Sequence, residues 1–213
     1  MNMRVHFAKA GSAKLIGLVL LVVAIAAGVF LLGMNNYPKP VEISQELSAI
    51  KTKPTLAKHI KMPAGYFELD VPKDWQARWY TQHRYMSFRA PGNRGVAIVV
   101  AYQILKSPSV YKYHPRQTSA NMALMKKLFP DHELSSFRPI EVGKMQGFEV
   151  VMTKGKLQKR HMELFFENRR TLLTLSCPPA LDSEAKATLY AMAKSVKLNP
   201  CDTSVSFKKK SNK

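Results

Sequence analysis

Twenty consecutive residues without a charge, LIGLVLLVVAIAAGVFLLGM from Leu15 to Met34, constrain this chain more than any other feature. At a helical rise of about 1.5 Å per residue, the run matches the roughly 30 Å hydrocarbon core of a bilayer. Arg4, Lys9, Lys14 and the amino terminus precede it, and Lys39 is the one basic residue close behind it. Positive flanks stay in the cytoplasm, so residues 1–14 form a cytoplasmic basic N-terminus, 15–34 a transmembrane helix, and the rest lies across the plasma (inner) membrane, in the periplasm or outside the cell. A cleaved signal peptide is the competing reading. Its apolar region is shorter, about 7 to 15 residues, and ends in a small-x-small site that Gly33-Met34-Asn35-Asn36 does not supply.

The 179 positions after the run suit one domain able to bury a core without metals or several disulfides. Of 33 Lys and Arg against 14 Asp and Glu, three bases and no acid precede position 35, so the remainder is strongly basic. Such a charge draws anionic partners, through a field screened beyond about 10 Å at 0.1 M salt. Acidic lipid headgroups, envelope polymers and an acidic protein face are candidates; the compartment argues against nucleic acid.

Residues 35–64 hold Pro38, Pro40, Pro54 and Pro63, which remove backbone donors and restrict their neighbours. They read as a tether, with one short helix near Glu42 to Lys51. From Phe67 the pattern turns to strands: Phe67, Leu69 and Val71 alternate with Glu68 and Asp70. Strands are expected at Arg84 to Arg89 and Val96 to Ile104, the latter buried on both sides. A helix capped by Thr118 or Ser119 should bury Met122, Met125, Leu128 and Phe129 and stop at Pro130. Glu133–Val142, Met145–Thr153, Leu157–Glu167 and Leu172–Cys177, joined at Gly143-Lys144, Lys154-Gly155-Lys156 and Asn168-Arg169-Arg170, form an antiparallel meander. A last helix over Asp182 to Ser195 presents Leu181, Ala185, Leu189, Met192 and Val196 to the sheet, and the basic tail 201–213, ending in the polar run after Phe207, is expected to be disordered. The soluble domain thus spans 65–200.

Phe67-Glu68-Leu69-Asp70-Val71-Pro72-Lys73-Asp74-Trp75, Phe88-Arg89-Ala90-Pro91, Gly147-Phe148-Glu149-Val150 and Ala193-Lys194-Ser195-Val196-Lys197-Leu198, in that order, resemble the PsbP-like fold. That fold is shared by the P subunit of the photosystem II oxygen-evolving complex, a small Ran-binding nuclear import factor and bacterial envelope proteins such as DcrB. The likeness spans Gly65 to Leu198. It implies an α+β class, an antiparallel β-sheet sandwiched by helices, and binding or assembly rather than turnover. Two features depart from it: the strong basic charge, and a membrane helix where DcrB-like relatives carry a lipid anchor.

Two cysteines, Cys177 and Cys201, end the last long strand and follow the last helix. Outside the cytoplasm they are able to pair; a disulfide and two separate thiols both stay open. Without histidine at ligand spacing they make no metal site. Catalytic patterns are missing too. His59, His83, His114, His132 and His161 are scattered, Ser176-Cys177-Pro178 lacks the G-x-S-x-G glycines, and Gly92-Asn93-Arg94-Gly95 lacks the phosphate-loop lysine and serine. No enzyme activity and no cofactor are expected.

Two clusters are candidate binding surfaces. Trp75, Arg78, Trp79 and Arg84 interleave rings and cations, which grip sugars, headgroups or bases by stacking and cation–π contact; the simpler alternative is core aromatics beside solvated arginines. Lys154, Lys156, Lys159, Arg160, Arg169 and Arg170 gather near hairpin turns, which are hydrophilic in any case. A membrane-anchored protein that binds an envelope partner is one reading; a module for anionic lipid or envelope polymer is the other.

Overall fold

The computed structural model describes residues 39–50, 53–61, 67–81, 85–92, 94–105 and 115–198, with side chains from 119 onward in the last range. The expected transmembrane helix 15–34, the N-terminus 1–14, Arg84, Cys201 and the tail lie outside the described residues. Among the described residues no helix is long and apolar enough to cross a membrane.

The chain enters as β1 (Val41–Glu42) and α1 (Ile43–Ala49), then runs through β2 (Leu56–Lys61), β3 (Phe67–Pro72), β4 (Gln76–Tyr80), β5 (Tyr85–Arg89) and β6 (Ala97–Ile104). After α2 (Pro115–Leu128) come β7 (Glu133–Val142), β8 (Met145–Lys154), β9 (Leu157–Phe166) and β10 (Arg169–Cys177), and then α3 (Asp182–Ser195) and β11 (Lys197–Leu198). β1, α1 and β2, expected in the tether, therefore belong to the fold. Pro40 and Pro54 stand just outside element ends, where the missing N–H costs nothing, and Ile43 and Leu47 of α1 are buried in the main core. Glu42 caps α1 by accepting from the Ser44 N–H at 3.1 Å.

Eight strands form one sheet in the order β1-β7-β8-β9-β10-β6-β5-β4, and β11-β3-β2 form a smaller one. The expected meander is present, and β10 pairs onward with β6. All pairs are antiparallel except β1 with β7, where Val41 faces Ile140. Turns at Gly143 and Gly155 have φ of +59° and +56°, a conformation that glycine adopts without strain. The third turn is tighter than expected: Glu167 and Asn168 make it, and Arg169 already pairs with Phe166 inside the strand.

Alternation sorts the large sheet into two faces. The inner face carries Ile98, Val100, Ile140, Met162, Leu164, Leu173 and Leu175, packed with α1, α3 and Phe67, Leu69 and Val71 of the small sheet. The outer face carries Phe148, Val150 and Met152 of β8, covered by Met125 of α2. β6 is buried on its inner side alone, with Ala97, Val99 and Ala101 half-buried on the other. Contact with both the large sheet and β3 explains why α3 is buried nearly all round, Ala187, Thr188, Tyr190 and Ala193 included. Close packing also fixes Gly147: a Cβ there would lie 1.7 Å from the Glu163 carbonyl oxygen on the neighbouring strand.

Ionic side chains run through the inner layer. Arg138 donates to Glu149 at 2.7 Å and reaches both carboxylate oxygens of Glu46 and the Tyr190 hydroxyl, which itself donates to Glu149 at 2.9 Å. Arg160 holds Asp182 through two bonds of 2.8 and 2.6 Å. Five elements meet in this network, which fixes α1 and α3 against the sheet; a buried ion left unpaired would cost several kcal/mol, about 3 to 5. Cys177 is a free thiol buried in the same core. Burial, with Asp182 nearby, pushes its pKa up to about 11.

Candidate functional site

The outer face gathers exposed apolar and cationic groups around α2 and the β8–β9 hairpin. Four large apolar side chains are exposed among the described residues: Ile104, Leu124, Leu128 and Leu157. Leu124 and Leu128 lie one turn apart on α2, so they share its outer side while Met125 anchors the inner side. Leu128, expected in the core, is 55% exposed, because the helix rests on the sheet through Met125 and the following Phe129. Leu157 opens β9 on the same face, two residues before Lys159, whose ammonium lies 5.6 Å from the centre of the Phe129 ring.

Lysines surround these leucines. Lys126 and Lys127 end α2, where the helix dipole favours cations. Lys154 and Lys156 flank Gly155 in the hairpin turn. Two acids stand nearby, Asp131 and Glu133; Asp131 accepts from Lys154 at 2.9 Å, and that hydrogen bond holds its carboxyl below the usual range. His132 is held below its ordinary value, first by burial and then by the Lys159 and Lys154 charges. It therefore carries less positive charge at neutral pH than a free imidazole would. The result is an apolar centre with a positive rim.

The two clusters expected from sequence are divided by the fold. Lys154, Lys156 and Lys159 come together at the patch. Arg160 follows Lys159 but points to the inner face, where it is committed to Asp182. Arg170 grips Glu163 at 2.8 and 2.7 Å on the outer face, and Arg169 is buried at the opposite end of the sheet. In the aromatic cluster, Trp79 packs on the inner core and Trp75 lines a cleft of about 240 Å³ with Pro54, Pro72, Pro91 and Leu181. Arg78 is exposed, its guanidinium 5.1 Å from the Tyr80 ring, which stacks on Tyr85 at 4.6 Å. Lys126, Lys127, Leu124 and Leu157 were not singled out by sequence reasoning, and Leu128 was read as core; the i, i+4 leucines beside Lys126-Lys127 are the signal that could have found the patch.

No family model and no curated protein matches the sequence. Solved structures do. Cyanobacterial PsbP (CyanoP) from Synechocystis sp. PCC 6803 superposes with a TM-score of 0.52 over 70% of this chain and 96% of that one, at 13% identity. The domain has a PsbP-like fold. A Bacteroides thetaiotaomicron protein matches at TM-score 0.49 and 12% identity over 68% of this chain, which spans half the length of that protein. LpqN of Mycobacterium tuberculosis, described as involved in cell envelope biogenesis, matches at 0.43 and 10% identity, covering 76% of this chain and all of that one.

One group in the PsbP-like domain has the residue types of a hydrolytic relay. His161 Nδ1 lies 2.8 Å from the Thr174 hydroxyl, its Nε2 3.1 Å from Glu163, and Arg170 clamps that carboxylate. Burial raises the Glu163 pKa, but the bonds from His161 and Arg170 outweigh it and the net value is lowered. Thr174 pairs with His161 on one side and Val99 on the other, so the backbone amides around it belong to the ladder. Free N–H groups to stabilise an oxyanion are therefore not offered beside it. Among the described residues no group of three or more His, Cys, Asp or Glu is placed to hold a metal ion.

Proposed function

We propose that this chain is a single-pass envelope protein whose PsbP-like domain binds, without catalysis, an acidic protein partner through the leucine–lysine patch of α2 and the β8–β9 hairpin. One observation carries the reading: three of the four large apolar side chains exposed among the described residues lie on this one side of the domain, beside five lysines. A compact apolar centre with a charged rim is the surface of an interaction site. The uncharged run 15–34 supports the anchor, and its basic N-terminal flank supports a domain facing away from the cytoplasm.

An anionic lipid or envelope polymer on the same patch is the second reading. A photo-crosslinking residue at Leu128 in the full chain, in intact cells, should give one discrete protein adduct, lost when Lys154, Lys156 and Lys159 are changed to glutamate. The same residue at Gln76 should give none. Adducts to lipid alone, or equal adducts from both positions, would sink the proposal.

A further inference from the structure

The outer face of the large sheet continues past α2 as a shallow trench. Met125 and Phe129 hold α2 over β8 and β9. Beyond them, the strand register lays out two neighbouring cross-strand rows on that face. One runs Lys159, Ser176, Ala97, Arg89 across β9, β10, β6 and β5. The next runs His161, Thr174, Val99, Ser87, Arg78 and reaches β4. Side chains in the middle of both rows are small, and Ala97, Val99, Thr174 and Ser176 are half-buried. They form a floor between Lys159 on one side and the two arginines on the other. Lys159 and Arg89 stand three strand spacings apart, about 14 Å. The Thr174 hydroxyl is engaged with His161 at 2.8 Å, whereas the Ser176 hydroxyl has no partner among the described residues.

The arginines that end these rows are uncommitted. Arg94, Arg138, Arg160 and Arg170 each hold a carboxylate. Arg78 and Arg89, both exposed, hold none among the described residues. The Tyr80 ring, 5.1 Å away, orients the Arg78 guanidinium instead. A ring contact of this kind leaves the N–H fork available to an oxyanion. The two arginines sit diagonally across β4 and β5, about 7 to 8 Å apart, so both reach one stretch of a bound chain. On the outer side of β4, β5, β6, β9 and β10 the described carboxylate is Glu163, and Arg170 and His161 already occupy it. None of the exposed large apolar side chains belongs to either row, so a protein partner would find no apolar anchor there. Methyl and hydroxyl groups beside unpaired guanidinium forks suit an extended, hydrated chain that carries carboxylates. We propose that this trench binds an acidic polysaccharide, with its carboxylates on Arg78 and Arg89 and its sugar rings over Ala97, Val99 and the Ser176 hydroxyl. The site does not depend on what the leucine–lysine patch holds.

The test titrates fluorescein-labelled octagalacturonate with the full chain in detergent and reads anisotropy. Binding should saturate at low salt and weaken as salt is raised. Arg78→Glu with Arg89→Glu should weaken it at least about tenfold, while Lys154→Glu with Lys156→Glu, the same change in net charge, should weaken it less than about threefold. Should the first pair lower the thermal midpoint, Arg78→Gln with Arg89→Gln carries the same expectation of a selective loss. No saturable binding overturns the proposal. Equal losses from the two glutamate pairs overturn it as well, because binding then follows net charge and not this face. If polyglutamate of equal length displaces the probe as well as unlabelled octagalacturonate does, the face takes acidic peptides and the polysaccharide assignment fails. Crosslinking from Leu128 is read separately, so either result stands without the other.

Discussion

Replacing Glu46 by glutamine should loosen α1 in a way that depends on pH. Its carboxylate meets Arg138 through both oxygens and Lys186 at 3.3 Å. The Arg138 hydrogen bond above all lowers the Glu46 pKa from 4.5 to about 2. A shift of that size corresponds to about 3 kcal/mol at pH 7, and partial exposure trims it to about 2 to 3. Because the folded value is depressed, the stabilisation is fully present above the unfolded pKa and drains away as pH falls through the folded one. At about pH 3 less than half should remain. Urea unfolding of the full chain in detergent, followed through Trp75 and Trp79, measures it. Glu46→Gln should lower the unfolding free energy by about 2 to 3 kcal/mol at pH 7 and by less than half of that near pH 3. A loss under about 0.5 kcal/mol at neutral pH, or the same loss at both, would refute the reasoning.

Gly147→Ala places a methyl group against the Glu163 backbone and should cost at least about 3 kcal/mol, read as a fall in thermal midpoint or as loss of folded protein; an unchanged midpoint would mean the strands are further apart. His59 lies 2.7 Å from Asp70 and 3.0 Å from Glu68, and the Asp70 bond leads in raising its pKa. Its NMR titration should centre above 6.5, with Asp70→Asn bringing it down; the contribution to β2–β3 pairing is present below the unfolded pKa and is lost as pH rises through the folded one. Cys177 should resist thiol reagents until the chain unfolds, and two thiols should then react. Leu198 pairs with Phe67, whose ring touches Tyr102 beside Thr171, and Cys177 is six residues further along β10, about 20 Å. Three residues past Leu198 reach about 11 Å. A disulfide-bonded monomer on a non-reducing gel would contradict that register.

The meander was legible because turn chemistry and alternation agree. Gly143 and Gly155 sit where φ is positive, and the alternating apolar residues between them are the ones found inside. β1 and β2 were misread as tether for a physical reason: prolines weaken elements they interrupt, but Pro40 and Pro54 stand outside β1 and β2, leaving their ladders intact. β4 escaped notice as a short edge strand with few buried side chains. At the candidate site, the hairpin lysines were visible and the leucines on α2 were not. Which side of a helix is left exposed depends on the sheet beneath it. The separation of Lys159 from Arg160 was readable in principle, since neighbours on a strand face opposite ways.

Strand β7 carries a final consequence. Among the described residues, only two of its ten positions are paired with β1, which leaves most of that edge without a strand partner there. Its register slips between Leu134 and Ser136, and Pro139 brings no N–H to the edge. An incoming strand would find an interrupted ladder, which guards the protein against edge-to-edge aggregation and makes strand addition a poor way to capture it. Recognition is thereby left to side chains, and peptides that imitate a β-strand should not compete with whatever this domain holds.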